Sequence, residues 1–166
     1  MELDLDRIKQ LSRNREQENF AFRSFLKGKD SEKIDEIVHN IHNEITAQID
    51  CTKCGNCCGE LRPWVDDDDI ERLANIDKIP KGEYIEKYVE KNESEGGRYL
   101  KSMPCKYLDG KKCSIYPDRP RECRDYPFTH KDEFTSRLFG VIDDYAICPI
   151  VFNLYERLKR EMRFRY

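Results

Sequence analysis

The chain has 166 residues, with 30 basic and 33 acidic side chains and a formal net charge of −3. Charged residues make up 38% of it against a usual value of about 25%, and mean hydropathy is −0.87. That balance excludes the basic footprint of a nucleic-acid binder, and the thin apolar content points to a modest core that gains from crosslinks.

The first residues, MELDLDR, lack the basic and apolar regions of a secretory signal. No apolar run approaches the roughly 18 residues that a membrane span needs, and the longest, Ile147–Phe152, contains a proline. A soluble, cytoplasmic protein with no membrane contact is expected.

Two helices are expected in the first fifty residues. Leu5, Ile8, Leu11, Phe22, Phe25 and Leu26 punctuate a charged stretch that Gly28 ends. Ser31 then stands as an N-cap, and Ile34, Ile37, Val38, Ile41 and Ile45 follow a 3.6-residue period. After a cysteine-rich stretch, Leu61–Val65 reads as a short strand. The run Asp66–Asp69 reads as a helix N-terminus, where carboxylates cap free N–H groups and oppose the dipole. Another helix starts at Pro80, carries Tyr84, Ile85, Tyr88 and Val89 on its apolar face, and ends near Asn92. Glu93–Gly97 is a loop.

From Arg98 the pattern changes to short extended pieces and turns. Asp109-Gly110 is a tight-turn signal that brings Cys105 and Cys113 together on a small hairpin. Pro117, Pro120 and Pro127 exclude a continuous helix through YPDRPRECRDYPF. Phe134–Ile142 reads as strand and Ile150–Phe164 as a final helix, with Val151, Leu154, Tyr155, Leu158 and Met162 inward. The expected fold is therefore α+β. A small, irregular, metal-stabilised cysteine-cluster domain (residues 50–166) ends in a helix, behind an N-terminal helical hairpin (residues 1–49).

All eight cysteines lie between Cys51 and Cys148. They fall short of the ~8–10% typical of small disulfide scaffolds, and a reducing cytosol favours metal or redox chemistry. In CTKCGNCC, Cys51, Cys54 and Cys57 repeat the two-residue spacer that lets both thiolates of a pair reach one metal centre. Gly55 supplies backbone freedom beside the loop. Cys58 adjoins Cys57, and adjacent side chains in extended backbone point to opposite sides, so the two are expected to serve different centres or different metal atoms. One division gives Cys51, Cys54, Cys57 and Cys148 to one centre and Cys58, Cys105, Cys113 and Cys123 to another; a single larger cluster uses the same ligands. Spacing alone leaves the metal open. C-x-x-C-G fits a tetrathiolate zinc site, whereas C-x-x-C-x-x-C with the remote Cys148-Pro149 fits a [4Fe–4S] cluster, which is placed slightly ahead.

CTKCGNCC, then PCKYLDGKKCSIYPDRPRECRDYPF and CP, together resemble the CxxCxxCC cysteine-cluster family, a zinc- or iron-chelating domain. The resemblance covers about residues 51–150 and implies that all eight cysteines are the ligand set. A related cluster occurs in flagellin lysine methylases, which are much longer chains.

Arg119 and Arg124 flank Cys123 and are candidates to donate hydrogen bonds to metal-bound thiolates; salt bridges to carboxylates are the competing reading. Tyr116, Tyr126 and Phe128 read as packing, and His39, His42 and His130 as surface or packing residues. The basic end, ERLKREMRFRY, reads as a solvated helix. No phosphate-binding glycine loop, Ser/His/Asp set or H-E-x-x-H motif is present. The expectation is a metal-binding accessory protein, not an enzyme by itself, that serves another protein or a larger redox assembly. The alternative is a component of a cluster-dependent methylase or redox enzyme.

Overall fold

The computed structural model describes residues 1–92 and 96–166. In chain order the elements are α1 (Leu5–Asn14), α2 (Glu16–Lys27), α3 (Ser31–Thr46), a 3-10 turn (Cys51–Lys53), α4 (Asn56–Glu60), α5 (Asp67–Asp77), α6 (Lys81–Tyr88), β1 (Val89–Asn92), β2 (Gly97–Leu100), β3 (Leu108–Asp109), β4 (Lys112–Cys113), a 3-10 turn (Tyr116–Asp118), α7 (Arg121–Asp125), a 3-10 turn (Phe134–Ser136), α8 (Leu138–Tyr145) and α9 (Pro149–Glu161). Helix dominates, and among the described residues the strands form two small antiparallel pairs, β1 with β2 and β3 with β4, so the class is α+β. The chain divides into a helical unit, residues 1–50 with 127–166, and a cysteine unit, residues 51–126.

In the helical unit, the Asp4 carboxylate caps α1 by accepting from the backbone N–H groups of Asp6 and Arg7. The single first helix expected from sequence is broken at Arg15 (φ −109°, ψ 14°), whose guanidinium pairs with Glu156. Gly28 ends α2 as expected. The cap of α3 is Asp30, one residue before Ser31. Ile34, Val38, Ile41 and Ile45 are buried, as the period requires, and α3 packs along α9. Pro149 opens α9, which buries Val151, Leu154, Tyr155 and Leu158. The strand expected at Phe134–Ile142 is instead a 3-10 turn followed by α8. Buried Phe134, Leu138, Val141 and Tyr145 recur at helical spacing, and that pattern overrides the β-branched composition. Among the described residues, no single helix is long and apolar enough to cross a membrane.

In the cysteine unit, Asp66 caps α5 by accepting from Asp69 N at 2.7 Å. Residues Leu61–Val65 form no strand: Trp64 makes an isolated bridge to Tyr99, and Pro63, lacking an N–H, cannot extend a ladder. The helix from Pro80 stops at Tyr88 rather than near Asn92, because Val89 pairs with Leu100 in the β1–β2 hairpin and both side chains are buried. Of the expected loop Glu93–Gly97, residues 93–95 lie outside the described residues, Gly96 is a turn and Gly97 begins β2. The core gathers Val65, Ile70, Leu73, Ala74, Tyr84, Val89, Leu100, Tyr107 and Ile115, with Cys105 and Cys113 packed against it.

Candidate metal centre

The cluster loop owes its shape to Gly55. A 3-10 turn closes with Cys54 N donating to Cys51 O at 3.2 Å, and Gly55 then takes φ +64°, ψ 2° and starts α4. A side chain there would also meet backbone: a Cβ on Gly55 would stand 2.5 Å from the Lys111 carbonyl oxygen. The absent Cβ is what lets the loop press onto the β3–β4 hairpin.

Cys57 and Cys58 both fall in α4. Adjacent side chains on a helix are ~100° apart, not on opposite faces as in extended backbone, and the two thiols hydrogen-bond each other. The divergence expected from sequence is therefore replaced by a paired dithiol on one helical turn.

The hairpin docks onto this turn through Cys105 N, which donates to Cys58 O at 2.8 Å. Cys113 lies opposite Leu108 on β4, and Ser114 N donates to Tyr107 O at 2.8 Å. The Asp109-Gly110 turn closes the hairpin with Gly110 at φ +60°, as the sequence signal required. The Cys105 thiol accepts from the Tyr107 N–H and the Cys113 thiol from the Ile115 N–H, bonds that favour the thiolate form. Cys123 lies on α7, which Pro120 precedes.

Cys58, Cys105, Cys113 and Cys123 act on one another electrostatically. Burial pushes the thiols of Cys105 and Cys113 up. Burial, reinforced by Cys105 and Cys58, pushes Cys123 up to about 12. Cys58 moves the other way, to about 7, chiefly through its hydrogen bond with Cys57 and further through the Arg119 cation. Three of these four thiols resist ionisation, a penalty that the charge of a bound cation would reverse. This donor chemistry fits either zinc or an iron–sulfur cluster. Among the described residues, no three Cys, His, Asp or Glu side chains are set to hold an ion as they stand.

Arg119 is held on the Tyr116 ring, its guanidinium carbon 3.8 Å from the centroid. It donates to Tyr116 O at 2.7 Å and Cys123 O at 3.3 Å, and its charge acts on Cys58 and Cys113. Arg124 is exposed on α7. Cys51 is exposed and Cys54 half-buried, both in the cluster loop. Cys148 is buried in the helical unit as the N-cap of α9. All eight cysteines are described, and none is in a disulfide.

One supporting residue was not singled out from sequence. Asp69 is 1% exposed. Its carboxylate accepts from Arg121 N at 3.1 Å and pairs with Arg72, and Arg72 in turn donates to Asp118 O at 3.0 Å. Asp69 thus fixes the turn that presents Arg119 and Cys123. Its only sequence signal is that Asp66 alone suffices as the cap of α5.

The family model CxxCxxCC, described as "Putative zinc- or iron-chelating domain", matches residues 50–139. That stretch holds seven of the eight cysteines; Cys148 lies beyond it. An uncharacterized protein of Methanocaldococcus jannaschii is 39% identical over 83 residues, which are 48% of this chain and 44% of that protein. The chain thus spans less than half the length of this curated relative. No solved structure matches it. With more than half of its residues matched, including the CTKCGNCC loop, the hairpin cysteines and Cys123, the chain belongs to the CxxCxxCC family of metal-chelating cysteine-cluster domains.

Proposed function

We propose that this protein is a cysteine-cluster metal module in which Cys58, Cys105, Cys113 and Cys123 hold one four-sulfur centre. Cys51, Cys54 and Cys57 of the cluster loop supply further ligands, as part of a second centre or of one larger cluster. The observation that carries the reading is the 2.8 Å hydrogen bond by which Cys105 N docks the hairpin on Cys58 O, with Cys113 and Cys123 acting electrostatically with the same thiol. Cys105, Cys113 and Cys123 lie 47 or more residues beyond Cys58, and sulfur-bound metal gives these segments a common reason to meet.

An iron–sulfur cluster is the favoured occupant, with zinc second. Two adjacent thiols on one turn are met more easily by neighbouring metal atoms of a cluster than by one ion, and the C-x-x-C-x-x-C spacing with Cys148-Pro149 suits a cubane. Arg119 and the N–H groups of Tyr107 and Ile115 are the donors that would tune its potential. The proposed role is accessory: the module carries electrons for, or is held within, a partner protein, with no reaction of its own. The small core of the cysteine unit makes the metal part of that unit's folding energy.

Anaerobic purification with metal analysis and a visible spectrum tests this. Brown protein that bleaches in air, is reversibly reduced, and carries iron with acid-labile sulfide supports the cluster reading. Colourless protein with stoichiometric zinc moves the assignment to zinc. Well-folded metal-free protein with eight titratable thiols overturns metal binding altogether.

A further inference from the structure

The protein's three histidines, His39, His42 and His130, meet within the helical unit although the last is far from the others in sequence. The rings of His42 and His130 have centroids 5.5 Å apart. His42 Nδ1 and the Oγ1 of Thr129, a residue 1% exposed, share a 2.8 Å hydrogen bond. His39, one helical turn before His42 on α3, places Nε2 3.8 Å from Asp132 Oδ1. Residues 127–137 therefore lie as a strap on α3, with the His42 imidazole as part of the fastening. Two further ties hold it. Both Asp35 oxygens accept strap N–H groups, from Glu133 at 2.7 Å and Phe134 at 2.9 Å, and Ser31 Oγ bonds Thr135 Oγ1 at 2.9 Å.

The strap is also strained. Phe128 (φ +60°) and Glu133 (φ +59°) are non-glycine residues in the left-handed region, a conformational cost that the surroundings must offset. A strained segment held by a few polar ties responds sharply to the loss of one.

We infer that the 127–137 strap is an acid-released clasp, fastened while His42 is neutral and loosened when it gains a proton. The charges that meet at the cluster support this. His39 and His42 come from α3, and His130, Lys131 and Asp132 from the strap. Of the carboxylates, Asp132 stands 3.8 Å from His39 and is exposed, and Asp35 accepts backbone N–H groups. Arg137 is taken up by the carbonyls of Phe128, Lys131 and Asp132. From α9, Arg157 lies on Glu44 and Glu161. From α2, which packs against the 3-10 turn, Arg23 lies over Phe139. Glu36 on α3 and Glu133 on the strap are exposed, and the groups that act on His42 are the other two imidazoles, so acidification adds a positive charge beside His130 and His39. Burial, then the neighbouring His130 and His39, hold the His42 imidazole below its ordinary value. The sign follows: the folded strap prefers neutral His42, so its stability is complete above about pH 6.5. It is lost as pH falls through that value and the lower folded one.

Hydrogen exchange with mass spectrometry on the full, metal-loaded chain at about pH 7.5 and 5.5, corrected for intrinsic rates, tests the clasp. Opening of peptides covering 127–137 should rise severalfold at the lower pH while buried α9 amides stay protected. His42→Gln, which keeps a neutral partner for Thr129, should flatten most of that response, and His130→Asn should reduce it. An equal pH response in wild type and both variants would overturn the proposal. So would a response seen only in samples that have lost metal.

Discussion

Gly55 is the position where geometry makes the sharpest demand on sequence. Gly55→Ala imposes two penalties. A non-glycine residue at φ +64° costs about 1–2 kcal/mol. Its Cβ would lie 2.5 Å from the Lys111 carbonyl oxygen and 2.9 Å from its carbon, backbone that cannot swing aside, which adds about 1–3 kcal/mol of overpacking. The expected destabilisation is about 2–5 kcal/mol. Gly110→Ala is the internal control: its φ is +60° but nothing lies within 4 Å of the added Cβ, so only the conformational cost of about 1–2 kcal/mol applies. Guanidinium denaturation of the metal-loaded variants gives both values from midpoints at constant slope. If Gly55→Ala is no more harmful than Gly110→Ala, the cluster loop does not press onto the hairpin and the account of how Cys57 and Cys58 are placed fails.

The remaining predictions concern the supports of the site and its protons. Asp69→Ala removes the carboxylate shared by Arg121 N and Arg72 and should cost about 3 kcal/mol, the low end for breaking a buried pair, with weaker metal retention; a loss below 1 kcal/mol would contradict its role in holding the Arg119–Cys123 turn. Arg119→Ala removes a cation acting on Cys58 and Cys113 and, with the proposed iron–sulfur occupant, should lower its reduction potential, with Arg119→Lys intermediate, in a potentiometric titration; an unchanged potential would place Arg119 among ordinary packing residues. Metal affinity should rise with pH through the neutral range, because Cys105, Cys113 and Cys123 hold their protons tightly and must release them. With Cys58 at about 7, chelator competition should show about three protons released per centre well above pH 7 and about four well below it; an affinity independent of pH would contradict thiol ligation.

Where local chemistry decides the backbone, the sequence is transparent. Asp109-Gly110 dictates its hairpin, Asp66 its cap, and the isoleucines of α3 their buried stripe. The cysteine spacing was equally legible as metal chemistry. Tertiary pairing was not: Val89 leaves a helical pattern because Leu100 lies opposite, and the run from Phe134 becomes helix because four side chains at helical intervals find the core. The backbone of the vicinal thiols, helical and not extended, was hidden for a related reason. Their relative direction depends on whether the backbone is extended or helical, and that was settled by Gly55 turning the chain into α4. Asp69 was hidden because the turn it holds is about fifty residues away.

The central claim is that cysteine sulfur binds metal in this chain, with Cys58, Cys105, Cys113 and Cys123 sharing one centre. Metal-edge X-ray absorption on anaerobically purified protein, wild type beside Cys123→Ser, measures this directly. The account predicts a first shell of sulfur alone at about 2.3 Å, with loss of sulfur scatterers or of metal in the variant. A shell dominated by nitrogen or oxygen, or a spectrum that Cys123→Ser leaves unchanged, would contradict it.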